Sequence, residues 1–139
     1  MTAEIFIDTN ILLYAQSKHP AEARKREVAR ECLQRPGIGF STQVLGEFYV
    51  NATKKLEPPL GHDSALRILQ KLEPFPIAPI SPRDVYRALE LKVRYQLSYW
   101  DSLIIAAAAG LGCRTVVSED LSDGQVLEGI AVLNPFTQT

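Results

Sequence analysis

Four short runs constrain the fold of this chain more than any other feature: Ile5-Phe6-Ile7, Ile38-Gly39-Phe40-Ser41, Thr115-Val116-Val117 and Ile130-Ala131-Val132-Leu133. A strand with one wet face alternates apolar and polar residues, whereas these runs are apolar almost throughout. Strands of that kind are covered on both faces, which is the habit of parallel sheets. Parallel strands need long crossovers, and the stretches between these runs are rich in helix formers. A further extended segment, Phe75 to Ile80, is confined by neighbouring prolines. The pattern predicts an α/β domain with a central parallel sheet of four or five short strands and helices on both faces.

The helices announce themselves by period and by caps. Ile11 to Ala15 reads as a short helix that stops near Ser17 to Pro20. Residues 21–35 carry the stripe Ala23, Val28, Ala29, Cys32 and Leu33, and Pro36-Gly37 ends it. Ser41 or Thr42 caps a helix running to about Lys55, and Asp63 or Ser64 opens another over 63–73. Ser81-Pro82-Arg83-Asp84 is a helix start with proline in the first turn, continuing to about Gln96. The last helix spans Tyr99 to Leu111 and closes at Gly112. With 139 residues and neither repeat nor linker, one domain over 1–139 is expected.

Composition excludes several classes. Hydrophobic residues make up 46% and charged residues 22%, unlike a disordered chain or a rod. The longest apolar stretch, Leu103 to Cys113, falls well short of the roughly 20 residues of a membrane span. Glu4 and Asp8 stand where a secretory signal would carry a basic region, so none is expected. Cys32 and Cys113 lie far apart without a second pair, which suits a reduced, cytoplasmic protein. The net charge of −1 hides an asymmetry: residues 9–97 hold 14 Lys/Arg against 9 Asp/Glu, whereas residues 98–139 hold one Arg against five acids. Such a middle could offer a polyanion a basic face, or it could be a set of solvated helices.

No glycine-rich phosphate loop is present, since Gly37-Ile38-Gly39 and Gly110-Leu111-Gly112 lack the third glycine and no Gly-Lys-Ser/Thr occurs. His19 and His62 have no partner at ligand spacing, which argues against zinc and against a serine–histidine hydrolase. Acids remain. Asp8 ends the first strand, where ligands of open parallel sheets bind, although it could equally cap the next helix. Ser118-Glu119-Asp120 repeats that arrangement after Thr115-Val116-Val117. Glu47 lies on a mixed helix face beside Gln43, Val44, Val50 and Asn51, a position open to a solvated Glu as well as to a site. Asp101 completes the capping-box spacing Ser98-x-x-Asp101, yet it opens a helix so apolar that its first turn must be tucked in. Carboxylates gathered in one pocket repel each other unless cations compensate, and Mg²⁺ or Mn²⁺ does this with oxygen ligands.

Ile7-Asp8-Thr9-Asn10-Ile11-Leu12-Leu13-Tyr14, the segment Ser41 to Glu47, Tyr99-Trp100-Asp101-Ser102-Leu103-Ile104-Ile105-Ala106-Ala107 and Ser118-Glu119-Asp120-Leu121 together resemble the PIN domain. More narrowly the chain resembles VapC-type toxins of bacterial toxin–antitoxin pairs, a subgroup of which shares the ending Asn134-Pro135-Phe136. The resemblance covers almost the whole chain in the right order. It implies a PIN-like three-layer sandwich and a Mg²⁺- or Mn²⁺-dependent endoribonuclease that is restrained by a cognate antitoxin. It maps metal ligation and catalysis onto Asp8, Glu47 and Asp101. Many relatives read Thr-x-Asn-x-x-Asp-Phe after the penultimate strand, aligning Ser118, Asp120 and Asp123, with Gly124 in place of the aromatic residue. Asp120 is favoured as the fourth acid, Asp123 comes second, and Glu119 is an outer candidate. Thr9, Asn10 and Ser118 are expected to orient carboxylates or water.

The cations nearest these motifs in sequence, Arg24, Lys25, Arg26, Arg30, Lys54 and Lys55, are the candidates for holding an RNA substrate. The resemblance also implies a homodimer, for which Tyr86, Leu89, Leu91, Val93, Tyr95, Leu97, Tyr99 and Trp100 supply apolar surface. Two alternatives differ in kind. A haloacid-dehalogenase-like phosphatase wants a second Asp where Asn10 stands, and a non-catalytic RNA- or protein-binding PIN module predicts gaps in the acid set. A receiver domain lacks its paired acids and late Lys.

Overall fold

The computed structural model describes residues 1–137. Strands β1 (Ile5–Ile7), β2 (Ile38–Ser41), β3 (Ile77–Ala78), β4 (Thr115–Val117), β5 (Val126–Leu127) and β6 (Ile130–Leu133) form one sheet in the order β3-β2-β1-β4-β6-β5. Every pairing is parallel except β5 with β6. Phe6, Ile7, Phe40 and Val116 are fully or almost fully buried, as strands covered on both faces must be.

Six helices flank the sheet: α1 (Thr9–Ala15), α2 (Ala23–Leu33), α3 (Thr42–Lys54), α4 (His62–Gln70), α5 (Pro82–Tyr95) and α6 (Tyr99–Gly110). Right-handed crossovers put α1 to α4 on one face during the steps β1 to β2 to β3. The long return from β3 to β4 puts α5 and α6 on the other. The packing agrees, with α1 against α2 and α3, α3 against α4, and α5 against α6. The α6 segment from Ser102 to Ala108 is wholly buried, which is why its sequence carries so little polarity.

The parallel part of the sheet has five strands, as expected, and Val126-Leu127 adds a sixth that pairs antiparallel with β6. One local expectation needs correction. The helix expected over 21–35 is a 3₁₀ turn, Pro20–Glu22, followed by α2 from Ala23. The His19 ring caps that turn by accepting the Ala21 N–H at 3.1 Å. Cys32 and Cys113 are buried and unbridged. Among the described residues no helix is long and apolar enough to cross a membrane.

Candidate functional site

The strand order reverses beside β1, with β2 on one side and β4 on the other, and crevices at such switch points are where open parallel sheets bind ligands. Register does the rest. Ile7 pairs with Val117, so Asp8 and Ser118 leave the sheet side by side. The Ser118 hydroxyl donates to Asp8 Oδ2 at 2.7 Å, and the Thr9 N–H donates to Oδ1 at 2.7 Å. Asp8 therefore caps α1 and faces the crevice at once. It is only 4% exposed, and burial pushes its carboxyl up from the usual 3.8 to about 6. The Asp120 and Glu47 charges add to that rise, and the Ser118 and Thr9 bonds oppose it.

Glu47 comes from α3, whose start is fixed by the Ser41 hydroxyl accepting the Val44 N–H at 3.3 Å. The Thr9 hydroxyl donates to Glu47 Oε1 at 2.8 Å and ties α3 to α1. Asp101 lies in the first turn of α6. At Ser81 the capping box is complete, with Asp84 returning the bond. At Ser98 the hydroxyl accepts the Asp101 N–H at 3.1 Å, and Asp101 lines the cleft. Burial raises its pKa, the Ser98 hydroxyl opposes that rise, and the Asp120 charge adds to it. Asp120 sits in the turn after β4. Asn10 clips that turn to α1: its Nδ2 donates to Asp120 Oδ2 at 3.1 Å and to Asp8 Oδ2 at 3.4 Å, while its Oδ1 accepts the Glu119 N–H at 3.2 Å.

Asp8, Glu47, Asp101 and Asp120 thus line one cleft of about 150 Å³, together with Thr9 and Asn10. Asp123 is elsewhere, since its Oδ1 accepts the Asn134 N–H at 2.8 Å. Glu119 also turns away, accepting from the Tyr14 hydroxyl and from Lys25 Nζ, each at 2.6 Å. Several of the candidate cations are engaged. Lys25 holds Glu119, Arg26 donates to the Ser17 carbonyl at 3.1 Å, and Arg30 donates to the Ala15 carbonyl at 3.0 Å. Arg24 faces Glu27 on its own helix. Lys54 is exposed, and Lys55 lines a larger cavity beside the cleft.

Five cleft residues escaped the sequence reading as site residues: Gln43, Asn51, Trp100, Leu13 and Ile104. The first two lie one helical turn before and after Glu47, so the i±4 rule could have found them. Gln43 Nε2 donates to the Trp100 carbonyl at 3.2 Å and bridges α3 to α6. Its Oε1 is buried with no hydrogen-bond partner among the described residues.

No three Asp, Glu, His or Cys side chains among the described residues are arranged as a cage for a metal ion. A small hard cation does not require one, because Mg²⁺ keeps several waters and takes one or two protein carboxylates. An all-oxygen set of like charges, with Asp8 held at a raised pKa and the Gln43 oxygen lacking a donor, fits a hydrated ion of that type.

Residues 5–122 match the PIN domain. The chain belongs to the PIN domain family. That membership sets aside the phosphatase alternative. No curated protein matches the sequence, but solved structures share the PIN fold over nearly the whole chain. A toxin–antitoxin complex from Klebsiella pneumoniae is 24% identical, with a TM-score of 0.72, covering 96% of this chain and 98% of that one. DNA-bound VapBC from Salmonella typhimurium is 18% identical at a TM-score of 0.66, covering 96% and 99%. VapC20 of Mycobacterium tuberculosis, a sarcin–ricin loop cleaving toxin, is 19% identical at a TM-score of 0.64, covering 81% and 87%.

Proposed function

We propose that this PIN domain is a metal-dependent endoribonuclease, the toxin of a type II toxin–antitoxin pair, acting in the cytoplasm as a single-domain chain. The observation that carries the reading is the convergence of Asp8, Glu47, Asp101 and Asp120, from four separate parts of the chain, on one cleft at the switch point. A non-catalytic PIN module has no use for four mutually repelling carboxylates. In this reading those four acids hold Mg²⁺ or Mn²⁺, one or two of them directly and the others through its waters. The ion, when bound, would supply a water of lowered pKa and stabilise the charge that develops on the phosphoryl oxygens. Ser118, Thr9 and Asn10 hold the carboxylates in place through the bonds described above. The toxin–antitoxin complex of similar fold supports an antitoxin as partner, encoded separately.

Incubation with total RNA in Mg²⁺, in Mn²⁺ and in chelator tests the activity: cleavage in the first two and none in the third is expected. RNA left intact in all three would overturn the reading.

The same proposal includes a homodimer. On α5, Tyr86, Leu89 and Val93 are 68%, 46% and 79% exposed and follow one another at i, i+3 and i+7. Leu91, by contrast, belongs to the core. An apolar stripe at that spacing suits a partner helix. Sedimentation is expected to give a dimer mass for the parent chain and a monomer mass for Val93→Arg. A monomeric parent would defeat this part of the proposal.

A further inference from the structure

A second cavity, about 540 Å³, lies against the acid cleft and shares Asn10, Leu13 and Asn51 with it. Its size is that of pockets that bury a small ligand. The shared residues make it the space adjoining a group held at the four acids. Leu13, Tyr14 and Leu56 give it apolar walls, and His19, Glu22 and Glu57 line it as well, Glu22 being taken up by the Ser17 hydroxyl at 2.6 Å. The Tyr14 ring is preset, because its hydroxyl donates to Glu119 at 2.6 Å and Lys25 Nζ sits 4.8 Å from the ring centre. Two polar groups at the cavity are unspent. Neither the half-buried Asn51 amide nor the exposed Lys55 ammonium has a hydrogen-bond or ion-pair partner among the described residues.

A nucleoside meets these features together. Its base is a flat ring for apolar and aromatic walls, its edge offers donors and acceptors to an amide, and its phosphates answer a free ammonium. We propose that this cavity is the subsite for the nucleoside beside the scissile phosphate of single-stranded RNA, with Tyr14 and Leu56 against the base, Asn51 on its edge and Lys55 on the flanking phosphate. This rests on the ribonuclease reading, which supplies the phosphate at the acids.

The test separates the two. A short single-stranded oligoribonucleotide carrying 4-thiouridine is titrated into Asp8→Asn protein in Mg²⁺, followed by anisotropy and then by photocrosslinking. Adding Asn51→Ala is expected to weaken binding about three- to tenfold, as the loss of one hydrogen bond should. Adding Lys55→Ala is expected to lower the slope of log affinity against log salt by about 0.7. Crosslinks are expected at Tyr14 or within residues 51–56. Crosslinks confined to other elements, or unchanged affinity and slope in both variants, would overturn the subsite. So would variants that bind RNA normally but lose a protein partner, which would assign the cavity to that partner. Total RNA left uncut by the parent protein would overturn the ribonuclease reading, whereas the binding arm reports on the cavity by itself.

Discussion

Asp8→Asn is expected to abolish cleavage, by at least about a hundredfold, while producing a more stable protein at neutral pH. The substitution keeps the shape of the side chain and one oxygen to cap the Thr9 N–H, and it removes a charge that is 4% exposed beside two other acids. The sign follows from linkage. The Asp8 carboxyl titrates at about 6 in the folded protein against an ordinary 3.8, so between those values the folded state binds more protons than the unfolded one. Its contribution to stability is full below about pH 4, is lost as pH rises towards 6, and leaves a deficit of up to about 3 kcal/mol at neutrality.

Melting in chelator checks this directly. The variant is expected to melt higher than the parent at neutral pH, with the gap closing near pH 4. Mg²⁺ should then raise the parent's melting temperature more than the variant's, because an ion that binds the folded state stabilises by mass action. Undiminished RNA cleavage by Asp8→Asn would show that the cleft is not the catalytic centre. A variant no more stable than the parent in chelator would show that the charge on Asp8 is already compensated.

The sheet was legible because β1, β2 and β4 are too apolar to be anything but strands covered on both faces, and β6 reads the same way although it leaves Ala131 exposed. β5 was not. Its hairpin with β6 turns through Glu128-Gly129, with φ of 51° and 80°, rather than through the Asn-Gly or Asp-Gly pairs that mark such turns. Glu128 holds that conformation with help from far along the chain, accepting from Arg94 at 2.9 and 3.0 Å and from the Tyr95 hydroxyl at 2.7 Å. In the site, the approach of Asp8 to Asp120 could be anticipated from two strands ending in acid. The separate fate of Glu119 could not, since its partners Tyr14 and Lys25 lie on α1 and α2, 105 and 94 positions away. Asp101 looked like a cap, as Asp84 is, and only the packing of α6 distinguishes them.

Gly39→Val is expected to destabilise the fold by about 3 kcal/mol and to cut activity with it, although Gly39 touches no site residue. A Cβ built there would stand 2.7 Å from Ala3 Cβ, 3.1 Å from the Pro76 carbonyl oxygen and 3.1 Å from Leu111 Cδ1. Two of these neighbours are tethered: the Pro76 carbonyl accepts the Phe40 N–H at 2.9 Å, and the Ala3 N–H donates to the Leu111 carbonyl at 3.0 Å. The gain in strand propensity is under about 1 kcal/mol and cannot offset such overpacking. β2 must therefore shift, and two residues on it delivers Ser41, the cap of α3. Through α3 the shift reaches Gln43, Glu47 and Asn51, so the cleft deforms from a strand beneath it. The control is Gly46, next to Glu47, where an added Cβ meets nothing within 4 Å. Gly46→Ala should stabilise by about 0.5–1 kcal/mol and leave cleavage intact. Urea melts of both variants with RNA cleavage measured alongside would decide it. A Gly39→Val protein of parental stability would mean that the Ala3 and Pro76 segments yield, and that close packing at β2 does not hold α3 in place.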